Sequence, residues 1–304
     1  MFTQILLTAN ACVESGRVDI GFTQLGWWQI LILGMVQGIT ELLPISSTAH
    51  LRIIPSIFGW ADPGSAFSAA MQLASFVAVL SFLGADALKL TRSAVIAVRQ
   101  RSWQDRSLQI VLGVAVGTLP LAIAGLALKK MLNSCNSPLR SLMAIGIACI
   151  VMAGLLALAE RHGQNKSRQD RRQQQDLTLT DGLWVGLAQA FALIPGVSRS
   201  GSTLTAGLAL GLDRSTAAWF SFLLGLPAIT LAGLVEIFSL LKAGLSSEGW
   251  LLLLLGLTSG SISAYLALKL LLGYLKDHSS WVFVWYRLGL GVALVTASLT
   301  QMLR

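Results

Sequence analysis

Six stretches of this sequence, near 66–84, 108–128, 139–159, 215–240, 249–273 and 281–303, are apolar. Each is close to the ~20 residues that an α-helix needs to cross a bilayer. Such segments leave few folds open, because in lipid every backbone polar group must be satisfied internally. Only 12 % of the residues are charged and the mean hydropathy is +0.70, against about 25 % charge in a soluble domain. The 304 residues therefore read as an all-α polytopic membrane protein. No polar stretch is long enough to fold separately, so 27–303 is expected to be one integral membrane domain. The leader, 1–26, has no basic residue before its short apolar run at 5–7 and is no convincing signal peptide. It is expected to be flexible or to lie on the surface.

Two further segments, 27–58 and 182–212, are apolar, then interrupted by proline and a Ser/Thr cluster, then apolar again. That pattern predicts two re-entrant broken-helix pairs, since non-helical backbone at membrane depth must line a cavity or be buried in protein. With these pairs not crossing, thirteen of the 22 Lys/Arg fall in loops 85–106, 160–181, 212–214 and 269–280. Seven fall on the other side, and Arg199 and Arg287 remain at membrane depth. The bias places the richer loops in the cytoplasm and both termini outside it. It also accounts for the net charge of +8 without nucleic acid as a partner. Cys12, Cys135 and Cys149 show no paired spacing and support neither a disulfide framework nor a zinc site.

The two interrupted segments resemble each other. Gly34, Gln37, Pro44 and Ser46 in the first match Gly186, Gln189, Pro195 and Ser198 in the second. This predicts an inverted-topology repeat, about 27–128 and 182–273, with broken helices meeting near the midplane, as in many secondary transporters.

Ionisable groups at membrane depth are costly and point to function. In the second segment Arg199 stands among Ser198, Ser200, Gly201, Ser202 and Thr203, where a helix would restart. Glycines, a helix N-terminus and an arginine fork suit a phosphate, although the P-loop spacing is absent. In the first segment Glu41 precedes Pro44, Ser46, Ser47, Thr48 and His50. A carboxylate there could activate a serine hydroxyl, ligate a divalent cation, or both. His50, three residues after Ser47, suits proton transfer. Ser46 or Ser47 could equally cap the restarting helix. Gln37 and Gln72 are either interhelical hydrogen-bond partners or ligands. Arg287, in Trp285-Tyr286-Arg287, reads as an anchor in an interfacial aromatic belt.

At these residues the chain resembles the bacterial undecaprenyl-diphosphate phosphatase family, also called the bacitracin-resistance type. An (E/Q)xxxE element runs into PxSSTxH at Gln37, Glu41, Pro44, Ser46, Ser47, Thr48 and His50. A PGxSRSGxT element follows at Pro195, Gly196, Ser198, Arg199, Ser200, Gly201 and Thr203. The likeness continues through 220–224 and Tyr286-Arg287 and covers about 27–303. It implies a multi-pass enzyme of the bacterial plasma membrane, open to the outer side, that removes the terminal phosphate of a polyprenyl diphosphate. It also implies a divalent cation, Mg²⁺ or Ca²⁺, with Glu41 as metal-binding carboxylate and Gln37 its neighbour. Ser47 becomes the nucleophile or its close partner, Glu41 the activating group, His50 the proton-transfer group and Arg199 the phosphate clamp. Ser46, Thr48, Ser198, Ser200 and Thr203 are expected to line the phosphate pocket. The expected partners are the lipid substrate and membrane lipid, with a homodimer as an option. Gln37 departs from the glutamate of many members, Ala49 from a glycine, and Trp219 occupies a position often charged. The alternative function is a transporter or flippase of a phosphorylated polyprenyl lipid, which the repeat also suits.

Overall fold

The computed structural model describes residues 18–132, 138–164 and 171–300, with no account of the side chains of 129–132 and 140. Most of the expected leader, with Cys12 and Arg17, lies outside the described residues, as do Cys135 and Arg304.

Helix is the only extended regular structure among the described residues. The first interrupted segment becomes α1 (Trp27–Leu42) and α2 (Ser47–Phe58). Then come α3 (Gly64–Ala70), α4 (Gln72–Arg99), α5 (Arg106–Leu132) and α6 (Leu142–Gln164). The second interrupted segment becomes α7 (Leu179–Ala190) and α8 (Arg199–Ala209), followed by α9 (Arg214–Ala243), α10 (Ser247–Asp277) and α11 (Trp281–Leu299). With α3 and α4 counted as one run, six helices among the described residues are long and apolar enough to cross a membrane, one for each of the six expected spans. The four helices of the interrupted segments, at 11 to 16 residues, are shorter than a span requires.

The first helix of each broken pair packs closely on a distant long helix, α1 on α10 and α7 on α5. Both contacts use glycines four apart. Gly34 and Gly38 meet Gly256 and Gly260, while Gly182 and Gly186 meet Gly113 and Gly117. Small residues allow backbones in lipid to approach until dispersion and weak hydrogen bonds operate. The residue numbers rise together in each pair, so α1 runs parallel to α10 and α7 parallel to α5. Phe67, Met71 and Ala74 pack in the same rising order along Gly256 and Gly260, so α4 also runs with α10. The short 100–105 loop turns the chain back, with Ala94 and Ala97 against Leu108, so α5 opposes α4. It follows that α1 and α7 point in opposite directions.

A Cβ on Gly38 or Gly186 would collide with the facing carbonyl oxygen, of Gly260 or Gly117. Gly38→Ala and Gly186→Ala are each expected to destabilise the protein by about 1–3 kcal/mol. Gly273→Ala, inside α10 where a Cβ meets open space, should leave thermal unfolding in detergent unchanged or slightly raised.

The leader needs correction where it is described. Phe22 is fully buried with Leu25 in a cluster that includes Ile30, Phe67 and Leu253. The Phe22 N–H donates to the Pro63 carbonyl at 2.8 Å, and Asp19 accepts from the Ser65 N–H at 3.0 Å. Burying one phenylalanine is worth about 1.5–3 kcal/mol, which together with Leu25 and these hydrogen bonds offsets part of the cost of ordering 18–26.

Candidate active site

The two breaks are built alike. Proline disfavours the helical conformation in the residue before it. Leu43, before Pro44, is extended at φ −70°, ψ 144°, and Ile194, before Pro195, at φ −81°, ψ 119°. Each second helix then restarts after a serine in the left-handed region, Ser46 at φ 72° and Ser198 at φ 69°. Such a conformation costs about 1–3 kcal/mol in a residue with a Cβ. Ser198 regains part of this as a cap, its Oγ accepting from the Gly201 N–H at 3.2 Å. The Ser46 Oγ is buried and has no hydrogen-bond partner among the described residues.

Glu41, in the last turn of α1, joins both segments. Its Oε2 accepts from Ser47 Oγ at 2.5 Å and from Gln37 Nε2 at 3.0 Å. Its Oε1 pairs with Arg199 Nη2 at 3.4 Å, across 158 residues of chain. The Glu41 and Arg199 side chains are only 6 % and 12 % exposed, so little solvent screens the pair. Arg199 lies against Gly225 of α9, where a Cβ would collide with its guanidinium. Its Nε has no partner among the described residues.

Ser47 and Gln37 open onto a cleft of about 270 Å³ that Thr48, Arg52, Gln72, Leu193 and Pro195 also line. It thus lies between the two breaks. The other predicted site residues separate into two groups. Thr48 is exposed to the cleft, and Ser198 is half-buried. Of the five residues expected to line a phosphate pocket only Thr48 borders this cleft; Ser46, Ser198, Ser200 and Thr203 do not, and neither do Glu41 and Arg199, which connect to it through Ser47. Ser200 Oγ lies 3.1 and 3.0 Å from the carbonyl oxygens of Glu41 and Leu43, stitching α8 to the first break. Thr203 is fully buried, its hydroxyl on the Arg199 carbonyl at 2.8 Å and on Ser221 of α9.

His50 makes no hydrogen bond to Glu41 or Ser47. Its Nδ1 lies 2.7 Å from the Ser46 carbonyl and its Nε2 2.6 Å from the Tyr286 hydroxyl. A carbonyl only accepts, so Nδ1 carries the proton, and in the neutral ring Nε2 accepts from Tyr286.

Arg287 is not an aromatic-belt anchor. Trp285 and Tyr286 face outward at 64 % and 46 % exposure, whereas Arg287 is 1 % exposed. Its guanidinium donates to the Pro44 carbonyl at 3.2 Å in one break and to those of Gly196 and Val197 at 2.8 and 2.9 Å in the other. One residue, about 100° of helix, separates outward from inward at this point, and Gly201 leaves the space that the fork occupies. A cation with apolar residues around it and no acidic neighbour in sequence was the available signal.

These features define a polytopic α-helical membrane protein whose two broken helices set a serine at a cleft and join its partner carboxylate to a buried arginine. The chain belongs to the bacitracin resistance protein BacA family, whose model matches residues 30–293. It is 51 % identical to an undecaprenyl-diphosphatase of Synechococcus elongatus over 282 residues, 92 % of this chain and 96 % of the relative. It is 54 % identical over 260 residues to undecaprenyl-diphosphatase 2 of Mesorhizobium japonicum, covering 86 % and 97 %. The undecaprenyl-diphosphatase of Trichodesmium erythraeum is 47 % identical over 296 residues, covering 97 % and 93 %.

Proposed function

We propose that this chain hydrolyses undecaprenyl diphosphate to undecaprenyl phosphate and inorganic phosphate, recycling the lipid carrier for cell-wall synthesis. The observation that carries this reading is the 2.5 Å hydrogen bond from Ser47 to a buried carboxylate facing Arg199. Membership of a family whose relatives are named undecaprenyl-diphosphatase supplies the substrate.

Glu41 Oε2 takes the Ser47 proton as Oγ attacks the terminal phosphorus. The bond from that phosphorus to the bridging oxygen breaks, and the lipid monophosphate leaves with the electron pair. Water then attacks the phosphoserine, releasing inorganic phosphate and restoring the hydroxyl. Arg199 and the free N–H groups at the starts of α2 and α8 stabilise charge on the transferring group, which is most of what such catalysis requires. The leaving phosphate needs no proton to depart. His50 therefore acts by positioning, its Nδ1–H holding the carbonyl of the left-handed Ser46.

A divalent cation fits this reading. Mg²⁺ commonly binds through one or two carboxylates plus substrate phosphate oxygens. Among the described residues no group of three or more His, Cys, Asp or Glu converges. Glu41 with the Gln37 amide oxygen would hold the ion, which neutralises phosphate charge when bound.

The cleft also includes Asp62, Gly64, Ser65 and Leu139, at span ends that the Lys/Arg bias assigns to the outer side. This supports an outward-opening site in a bacterial plasma membrane, with α1–α2 and α7–α8 as re-entrant halves of an inverted repeat. A lipid transporter would share that architecture but has no use for an activated serine.

Purified protein in detergent is expected to release inorganic phosphate from a prenyl diphosphate and, after quenching, to carry phosphate on Ser47 by peptide mapping. Arg199→Ala should lower kcat by roughly 10²–10³-fold. No phosphate release by the folded wild-type protein would refute the hydrolase.

A further inference from the structure

Arg52 is absorbed neither by the fold nor by the chemistry above. It lies on α2 one turn after Thr48, and both residues line the same cleft as Ser47. Four residues of helix place Arg52 about 6 Å further along the axis from Thr48. One guanidinium nitrogen, Nη1, donates to Asp62 Oδ2 at 2.6 Å. Asp62 is itself fixed, its Oδ1 accepting from the Gly64 N–H at 2.9 Å. The pair bridges α2 to the turn before α3, at the cleft's mouth. The two side chains are 38 % and 54 % exposed, and ion pairs this open contribute little to stability. The Arg52 fork also has donors that Asp62 does not use.

A diphosphate has two anionic groups, and in the reaction proposed above only the terminal one meets Ser47 and Arg199. The inner phosphate, which stays on the lipid, is left facing the outer part of the cleft. We infer that Arg52 is a second anion subsite that grips the inner, non-transferred phosphate, with Asp62 orienting the guanidinium until substrate arrives. This rests on the hydrolase reading for the substrate. The chemistry it requires is only a phosphate monoester on a lipid. The subsite makes the enzyme selective for diphosphates, because a lipid monophosphate cannot fill both positions at once. It also makes the lipid product, rather than free phosphate, the ligand that Arg52 retains.

The test is equilibrium binding of farnesyl monophosphate and of inorganic phosphate to the purified full-length protein, with phosphate release from farnesyl diphosphate measured in parallel. Arg52→Ala is expected to weaken binding of the monophosphate about tenfold, the loss of one charge-assisted contact, and to leave inorganic phosphate unchanged. Arg52→Lys should restore part of the affinity. Asp62→Ala, which frees the guanidinium, should keep or tighten monophosphate binding. The subsite is overturned if Arg52→Ala shifts neither ligand or both equally. It is equally overturned if Asp62→Ala weakens the monophosphate as much as Arg52→Ala does, since the ion pair is then structural. A wild-type protein that binds farnesyl monophosphate through Arg52 yet releases no phosphate would refute the hydrolase while leaving the subsite standing.

Discussion

Ser47→Ala should lower kcat by about 10³-fold or more, Glu41→Gln by nearly as much, and the double variant by little beyond either single change. The reason is that the two side chains form one unit. Ser47 Oγ meets Glu41 Oε2 at 2.5 Å, and a hydroxyl without its base is a weak nucleophile. The two variants should differ in what they bind. Glu41→Gln removes the buried negative charge that faces Arg199 at 3.4 Å, so an arriving anion no longer competes with a carboxylate. With divalent cations chelated, inorganic phosphate should therefore bind Glu41→Gln more tightly than wild type, while Ser47→Ala changes that affinity little. Turnover and phosphate binding in the three variants check this. Additive losses, each multiplying the other, would mean that Ser47 and Glu41 serve separate steps and that water is the nucleophile.

The spans were legible because apolar length is a physical requirement written residue by residue. Each of the six long helices contains or closely overlaps its apolar stretch. The breaks were legible because Pro44 and Pro195 force the residues before them out of the helix. Glu41 and Arg199 stood out through the cost of placing a charge in lipid, and Ser47 as a hydroxyl after the proline break; Ser47 and Arg199 both bond Glu41. Hydroxyl direction was not legible. Ser200 and Thr203 look like pocket residues in a Ser/Gly/Thr run, but a hydroxyl serves equally as a staple to a nearby carbonyl. His50 shares a helical face with Ser47 by spacing, yet its partners are a backbone carbonyl and Tyr286, 236 positions away. Phe22 was missed because a short apolar group in a polar leader shows no periodicity, and its burial depends on Phe67.

The crosswise packing explains why the site sits where it does. The α1–α10 and α7–α5 glycine contacts fix the first helix of each pair against a rigid partner. Both breaks are then held at the ends of well-anchored helices. The left-handed serines persist because the surrounding contacts over-determine them. Ser200 from one side and Arg287 from the other cross-link the loops. Preorganised donors of this kind lower the reorganisation needed when charge develops on phosphorus.

Arg287→Ala is expected to prevent folding to the native state or to lower thermal stability more than any other single change considered. The guanidinium is 1 % exposed and donates to three carbonyls drawn from both breaks. Removing it leaves the buried carbonyls of Pro44 and Val197 without partners and that of Gly196 with only the Cys149 thiol at 3.6 Å, at about 1–3 kcal/mol for each orphaned acceptor, and a cavity in addition. With the cavity the sum reaches the 4–5 kcal/mol that marks an exceptional substitution. Arg287→Lys separates the structural from the functional consequence. Lysine keeps the charge and three donors, but on a single nitrogen, so it cannot span Pro44 on one side and Gly196 and Val197 on the other as the planar fork does. That variant should fold with reduced stability, and its kcat should fall more than its affinity for phosphate, because the breaks remain present but are no longer held in register. Thermal unfolding in detergent together with phosphate-release kinetics reads both effects. An Arg287→Ala protein that unfolds within a few degrees of wild type and turns over normally would show that α11 merely passes the breaks rather than joining them.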